Sequence, residues 1–127
     1  MSEMISTNDI IEPIDKNILL DRSMALKKQG YRFSQAHAVL SEGKFELSYS
    51  FSNYENLQLH TLRVVVDPEE EVMSITEIIP AAVFYENEMK ELFGVKIQLI
   101  SADLQNKLYR INVETPLGPK KENKEEA

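Results

Sequence analysis

Between Phe45 and Ser52 every second residue is apolar: Phe45, Leu47, Tyr49 and Phe51 alternate with Glu46, Ser48, Ser50 and Ser52. Successive side chains of a strand point to opposite faces, so this period of two predicts a strand with one buried and one wetted face. Within Tyr31 to Leu40, Ala36, Ala38 and Leu40 alternate in the same way, and Ser41-Glu42-Gly43 supplies a turn that makes the two runs a hairpin. In the run from Leu57 to Val66, Leu57 and Leu59 keep one register while Leu62, Val64 and Val66 keep the other. A bulge or burial on both faces accounts for the switch. Asp67-Pro68 ends this strand, because proline has no amide hydrogen for a ladder, and Glu69 to Glu71 reads as a solvated loop.

Two segments carry helical signals instead. Asp15 can cap a helix to about Gln29, with Ile18, Leu19, Met24, Ala25 and Leu26 as candidate buried positions and Gly30 as the stop. Ser74 and Glu77 have the spacing of a capping box and predict a short helix that Pro80 interrupts. A second helix is expected from about Ala81 to Phe93, ending at Gly94, followed by short strands Val95 to Ile100 and Leu108 to Val113. The order predicts an α+β fold, an antiparallel or mixed sheet with helices packed on one face. The expected organisation is a flexible N-terminus (residues 1–13), a single domain (14–114) and a disordered tail (115–127) rich in Pro, Gly, Lys and Glu.

Composition narrows the function classes. A 127-residue chain with 43% hydrophobic and 28% charged residues has enough apolar surface for one core and falls outside the disordered and fibrous classes. A net charge of −7 without a basic stripe argues against nucleic acid as a partner. Without cysteine there is no disulfide, no thiol nucleophile and no thiolate cluster, so any iron–sulfur centre would belong to another protein. The N-terminus lacks the apolar run of a signal peptide, and no apolar stretch reaches the roughly 20 residues that span a bilayer, which makes the cytoplasm the expected address.

No catalytic constellation stands out. A metal site would have to use His37 and His60 with carboxylates, yet each lies on an expected strand without a close ligand partner in sequence. Glu86 and Glu88 point to nearly opposite sides of a helix and cannot converge as the acid pair of a glycosidase, and no cleft-forming loop accompanies Glu88 and Glu91. The serines lack a nucleophile elbow, and the four glycines form no phosphate-cradling loop.

The segment that bears on function is the second helix. On a helical wheel of about 100° per residue, Ala81, Ala82, Tyr85, Met89, Leu92 and Phe93 form one stripe, the expected core contact. Phe84, Glu88 and Glu91 fall on a separate line at i, i+4 and i+7, with Glu86 on the opposite flank of the core stripe. Such a line is either solvated, with Phe84 leaning on a neighbour, or covered by a partner; periodicity alone leaves both readings open.

Read residue by residue, Ile79-Pro80-Ala81-Ala82-Val83-Phe84-Tyr85-Glu86-Asn87-Glu88-Met89-Lys90-Glu91-Leu92-Phe93-Gly94-Val95, with Ser74-Ile75-Thr76-Glu77 upstream, resembles the signature of the C (30 kDa) subunit of respiratory complex I and its relatives in membrane-bound nickel–iron hydrogenases. Glu86 and Glu88 match the outer acids of the family's Glu-Arg-Glu, Glu91 replaces an aspartate, and Leu92, Phe93 and Gly94 match as they stand. Asn87 occupies the place of the middle arginine, so any ion pair made by that arginine has no counterpart built from this residue. The resemblance spans about Leu20 to Val113, and the chain's brevity after Gly94 is similar to the short form in Ech-type energy-converting hydrogenases.

What the resemblance implies is a scaffold subunit without a cofactor of its own, not itself catalytic. It would brace a large subunit carrying the nickel–iron (NiFe) site, next to an iron–sulfur small subunit, on the cytoplasmic side of a membrane arm. Phe84, Glu86, Glu88, Glu91, Phe93 and Gly94 would form the partner interface. The equivalent subunit of an NADH- or F420-linked quinone oxidoreductase is the alternative within the family. A stand-alone small-molecule-binding domain is the alternative from another class.

Overall fold

The computed structural model describes residues 9–101 and 117–119. In chain order these form β1 (Ile10–Pro13), a 3-10 turn (Lys16–Ile18) leading into α1 (Leu19–Lys28), β2 (Arg32–Ser41), β3 (Lys44–Asn53), β4 (Gln58–Val66) and β5 (Glu71–Met73). A second 3-10 turn (Pro80–Ala82), α2 (Val83–Glu88), a π turn (Met89–Phe93) and β6 (Lys96–Gln98) follow. The expected strand Leu108 to Val113 and most of the expected tail lie outside the described residues. Leu117, within that tail, donates its amide to the Leu92 carbonyl at 2.5 Å.

The main sheet has the order β1-β4-β3-β2. The hairpin β2–β3 closes at Ser41 opposite Lys44, and Glu42 and Gly43 take φ of 52° and 80°, the left-handed pair of a two-residue turn matched to strand twist. Phe45, Leu47, Tyr49 and Phe51 are all at most 1% exposed, as the period of two requires. The other face of β3 is drier than expected: Ser48 and Ser50 are also buried, and the Ser50 and Thr61 hydroxyls pair at 2.9 Å. Two-sided burial explains the register switch along β4, which runs from Gln58 to Val66 against β3 without a shift. The bulge lies on β2 instead, where Ser34 is unpaired between Phe33 and Gln35.

Both helices pack on the face bearing Phe45 to Phe51, which makes the fold α+β with its helices on one side of a mostly antiparallel sheet. Leu19 and Leu26 of α1 enter the core, while Met24 and Ala25 are only partly buried and Ile18 is exposed. Ala36 and Ala38 are small enough to let α2 approach β2 closely, and Phe33 makes T-shaped contacts with both Phe51 and Tyr85, ring centroids 5.6 Å apart in each. Asp15 accepts from the Asn17 amide at 2.8 Å and caps the first turn, and Gly30 at φ 93° ends α1.

Several expectations are corrected. Residues 10–13, assigned to a flexible N-terminus, form β1, paired parallel to β4. Proline is admitted there because β1 is an edge strand and Pro13 its last residue. A bidentate ion pair from Arg22 of α1 to Glu12, both bonds at 2.8 Å, ties the strand to α1, and His60 on β4 meets the same carboxylate at 2.7 Å. Glu71 opens β5, which pairs parallel to β6 in a separate two-stranded sheet. Ser74 and Glu77 do not start a helix; residues 76–78 form only a turn, over which the Ser74 oxygen accepts from the Thr76 amide while its hydroxyl donates inward to Glu86.

Gly94 takes φ 84° and sends its amide back to the Lys90 carbonyl at 3.0 Å, closing the helical segment. A side chain in this left-handed region is disfavoured by roughly 1–2 kcal/mol. Gly94→Ala is therefore expected to lower the unfolding free energy by about that amount, read from urea denaturation. A change below a few tenths would mean that the turn relaxes without strain.

Candidate functional site

The segment from Pro80 to Gly94 is assembled in three pieces, and each decides where its side chains go. Pro80 opens the 3-10 turn at a position whose amide hydrogen would be unused anyway. Val83 to Glu88 then form one and a half turns of α-helix, within which the buried Asn87 amide donates to the Val83 carbonyl at 2.8 Å. Asn87 therefore satisfies its own helix rather than standing as an exposed polar substitute for arginine. From Met89 the backbone widens to a π turn, which changes the rotation per residue and moves Glu91 off the line of Phe84 and Glu88.

The sequence-predicted site residues part company as a result. Phe84 is 62% exposed, a ring standing largely in solvent, with Pro80 and Ala81 exposed beside it. Glu88 is half-buried, Phe93 is half-buried with its ring edge-on to Phe45 at 6.3 Å, and Gly94 forms the terminating turn. Glu91 is 4% exposed, against the expectation that it shares the outer face. Ala81, expected in the core stripe, is exposed, whereas Ala82 and Met89 hold the core positions.

Glu86 departs furthest from expectation. Placed by the helical wheel on an outer flank, it is fully enclosed inside the domain. Its Oε2 accepts from the Tyr49 hydroxyl at 2.8 Å and from the Ile75 amide at 3.0 Å, and its Oε1 accepts from the Ser74 hydroxyl at 2.5 Å. Ser74 in turn lies 2.7 Å from the Thr76 hydroxyl and accepts from the Thr76 amide at 2.9 Å, and the Thr76 hydroxyl oxygen accepts from the Ser101 amide at 2.8 Å. Six residues, Tyr49 on β3, Glu86 on α2, Ser74 to Thr76 after β5 and Ser101 after β6, are thereby strung into one polar chain. A carboxylate so enclosed contacts nothing outside its own domain.

Burial pushes the Glu86 carboxyl above the usual carboxylate range, while the donors on Ser74, Ile75 and Tyr49 pull the other way. The Tyr49 phenol is driven well above its ordinary value by the same burial and by the carboxylate beside it. Glu12 behaves oppositely: the Arg22 guanidinium holds its carboxyl below the usual range. Sequence reasoning missed Tyr49, Ser74 and Thr76 as polar partners. The signal available was Ser74-Ile75-Thr76 next to the acidic helix, read as a helix cap.

For catalysis or metal binding the arrangement offers little. Among the described residues no three His, Asp or Glu side chains converge as a metal site would need, His37 is exposed, and His60 is engaged with Glu12. A groove of about 580 Å³ between the first 3-10 turn and β5 is open on one side and lined by Lys16, Asp21, Glu71 and Met73 among others. Lys16 there is already spent on the Glu71 carbonyl at 3.0 Å and on Glu70 at 3.6 Å. No described helix is long and apolar enough to cross a membrane.

Comparison with known proteins agrees with this geometry. A chain in the structure of the membrane-bound sulfane sulfur reductase, an archaeal respiratory membrane complex, superposes with a TM-score of 0.76 at 20% sequence identity, covering 89% of this chain and 70% of that one. That likeness is one of fold. No curated protein matches by sequence. The sequence profile of the respiratory-chain NADH dehydrogenase 30 kDa subunit matches residues 13–118, a span that contains β2 to β6, both helices and the acidic segment ending at Gly94, and on that match the chain belongs to the 30 kDa subunit family.

Proposed function

We propose that this chain is a non-catalytic scaffold subunit of a membrane-associated redox complex, docking through the exposed face of α2 onto the large subunit beside an iron–sulfur subunit. The observation that carries this reading is Phe84, a large ring left 62% exposed on a helix whose other residues, Val83 and Tyr85 to Glu88, are buried or half-buried. Family membership supports it, since the family is named for a subunit of a respiratory-chain enzyme. Glu88 beside the ring and the chain's net charge of −7 favour a partner surface that is basic around an apolar pocket. The cofactors, a nickel–iron centre and iron–sulfur clusters, would be carried by partner subunits, since the chain offers no cysteine.

The finer assignment is an Ech-type energy-converting hydrogenase on the cytoplasmic side of the membrane, supported by the resemblance of the Ser74 to Gly94 segment. A membrane-bound sulfur-reducing complex is the second reading, favoured by the similarity in fold to a chain of such a complex. Gentle purification of the native complex, identification of the co-migrating chains and nickel analysis separate the two: stoichiometric nickel supports the hydrogenase, its absence counts against it, and the large subunit that co-migrates then tells a sulfur reductase from a quinone- or F420-linked oxidoreductase. A chain that purifies alone and binds a small molecule would overturn both.

The docking face has its own test. Phe84→Ala is expected to reduce co-purification of the large subunit at least tenfold, as for a buried aromatic anchor, and Glu88→Ala less, with the isolated domain still folded. Wild-type recovery with both variants would remove α2 as the contact.

A further inference from the structure

The proposed docking ring stands on a short helix whose α-helical part is only Val83 to Glu88. A helix of that length is not self-supporting, so its pose must come from tertiary contacts. On its inner side two kinds of contact are available. Ala82, Tyr85 and Met89 pack against the core, which fixes the helix's distance from the sheet but permits sliding, because dispersion contacts have no direction. Glu86 supplies the directional ones, gripping the centre of β3 through Tyr49 and the loop after β5 through Ser74 and Ile75. Phe84 lies two residues from this grip, on the other side of the helix.

We infer that Glu86 is a positioning residue for the docking face: its hydrogen bonds to Tyr49, Ser74 and Ile75 fix the rotation and slide of α2, and thereby the pose in which Phe84 meets the partner subunit. The inference rests on the docking reading above and adds to it a buried residue that the partner never touches. It also explains why an acid is retained in a place with no basic partner among the described residues, where a leucine would fill the space but leave the orientation undetermined.

The network predicts which substitutions are tolerated. In Glu86→Gln the amide oxygen can take the place of Oε2 and keep accepting from Tyr49 and Ile75. The amide nitrogen then donates to the Ser74 oxygen, and the Ser74 hydroxyl turns to donate to Thr76. The contacts to Tyr49, Ile75 and Ser74 are kept with the charge gone, and only the second amide hydrogen and the Thr76 hydroxyl hydrogen are left to find new acceptors. The double variant Tyr49→Phe, Ser74→Ala keeps the carboxylate, the ring and nearly all the packing but removes both hydroxyl donors.

The test uses the full chain expressed in its native complex, with co-purified large subunit quantified by mass spectrometry and amide exchange measured on the free chain. The double variant is expected to remain folded, to exchange the α2 amides and the Ile75 amide faster, and to lose about tenfold in recovered large subunit. Glu86→Gln is expected to stay within about twofold of wild type on both readouts. Wild-type recovery for the double variant while Phe84→Ala is lost would overturn the inference and leave the docking face standing. Loss of assembly in Glu86→Gln with unchanged exchange would also overturn it, by making charge rather than orientation the requirement. If Phe84→Ala assembles normally, the docking reading itself falls, and this inference with it.

Discussion

Phe51→Ala is expected to take away about 3 to 5 kcal/mol of unfolding free energy, the range for truncating a buried aromatic. Phe51 sits on the central part of the sheet with 0% exposure, and its ring lies edge-on to Phe33, which in turn meets Tyr85 of α2. Removing it opens a void under the hairpin and deprives Phe33 of one of its two aromatic neighbours, so the loss spreads from β3 to the helix. Because a domain of this size has about 5 to 15 kcal/mol in total, the variant should be partly unfolded at physiological temperature. Urea denaturation followed by circular dichroism reads the effect, with Ser52→Ala as a control on the same strand, where a surface change near ±0.5 kcal/mol is expected. A loss under 1 kcal/mol for Phe51→Ala would mean that the core collapses around the void.

The second large effect belongs to Glu86. Glu86→Ala strands the buried Tyr49 hydroxyl and the Ile75 amide, at about 1 to 3 kcal/mol for each buried group left unpaired, and should rank next to Phe51→Ala in the same assay. Its pH dependence has a definite sign. Burial raises the Glu86 carboxyl in the native state, so between the ordinary carboxylate value and the raised one the folded chain holds a proton that the unfolded chain has released. Stability from this group is therefore greatest at and below the ordinary value, falls as pH rises through the native value, and is flat beyond it.

Glu12 opposes this trend. With its carboxyl held down by Arg22, it contributes stability above the ordinary carboxylate range that is lost as pH falls through its depressed native value. The wild-type profile mixes the two, whereas the difference between wild type and Glu86→Gln isolates the first. That difference is expected to move in favour of the glutamine variant as pH rises above the ordinary glutamate value, about 4.3, and then to level off. A difference that is flat with pH would show that the three donors fully offset burial.

The Glu86 contacts also mark the boundary between what the chain's letters settle and what its packing settles. The period-two run from Phe45 to Phe51, the Glu42-Gly43 turn, and the stops at Gly30 and Gly94 are local facts, each set by the geometry of a few neighbouring residues, and all were legible in the sequence. The acidic and aromatic segment before Gly94 was legible as a family signature because its residues occur at fixed spacing. Strands β1 and β5, of four and three residues, are too short to show a period, and they exist because a longer strand and a second short one lie alongside them.

The fate of the acids was decided by tertiary structure alone. A wheel of uniform pitch puts Glu91 beside Phe84, and only the π turn, in which backbone bonds reach one residue further, turns it inward. Glu86 goes inside because Tyr49, 37 residues away, and Ser74, 12 residues away, present hydroxyls where an apolar residue would otherwise be needed. Sequence determined that α2 would carry acids and a ring. Folding determined which acids would be buried in the domain's interior and which ring would be left outside, because a polar group is buried only where distant parts of the chain bring it partners.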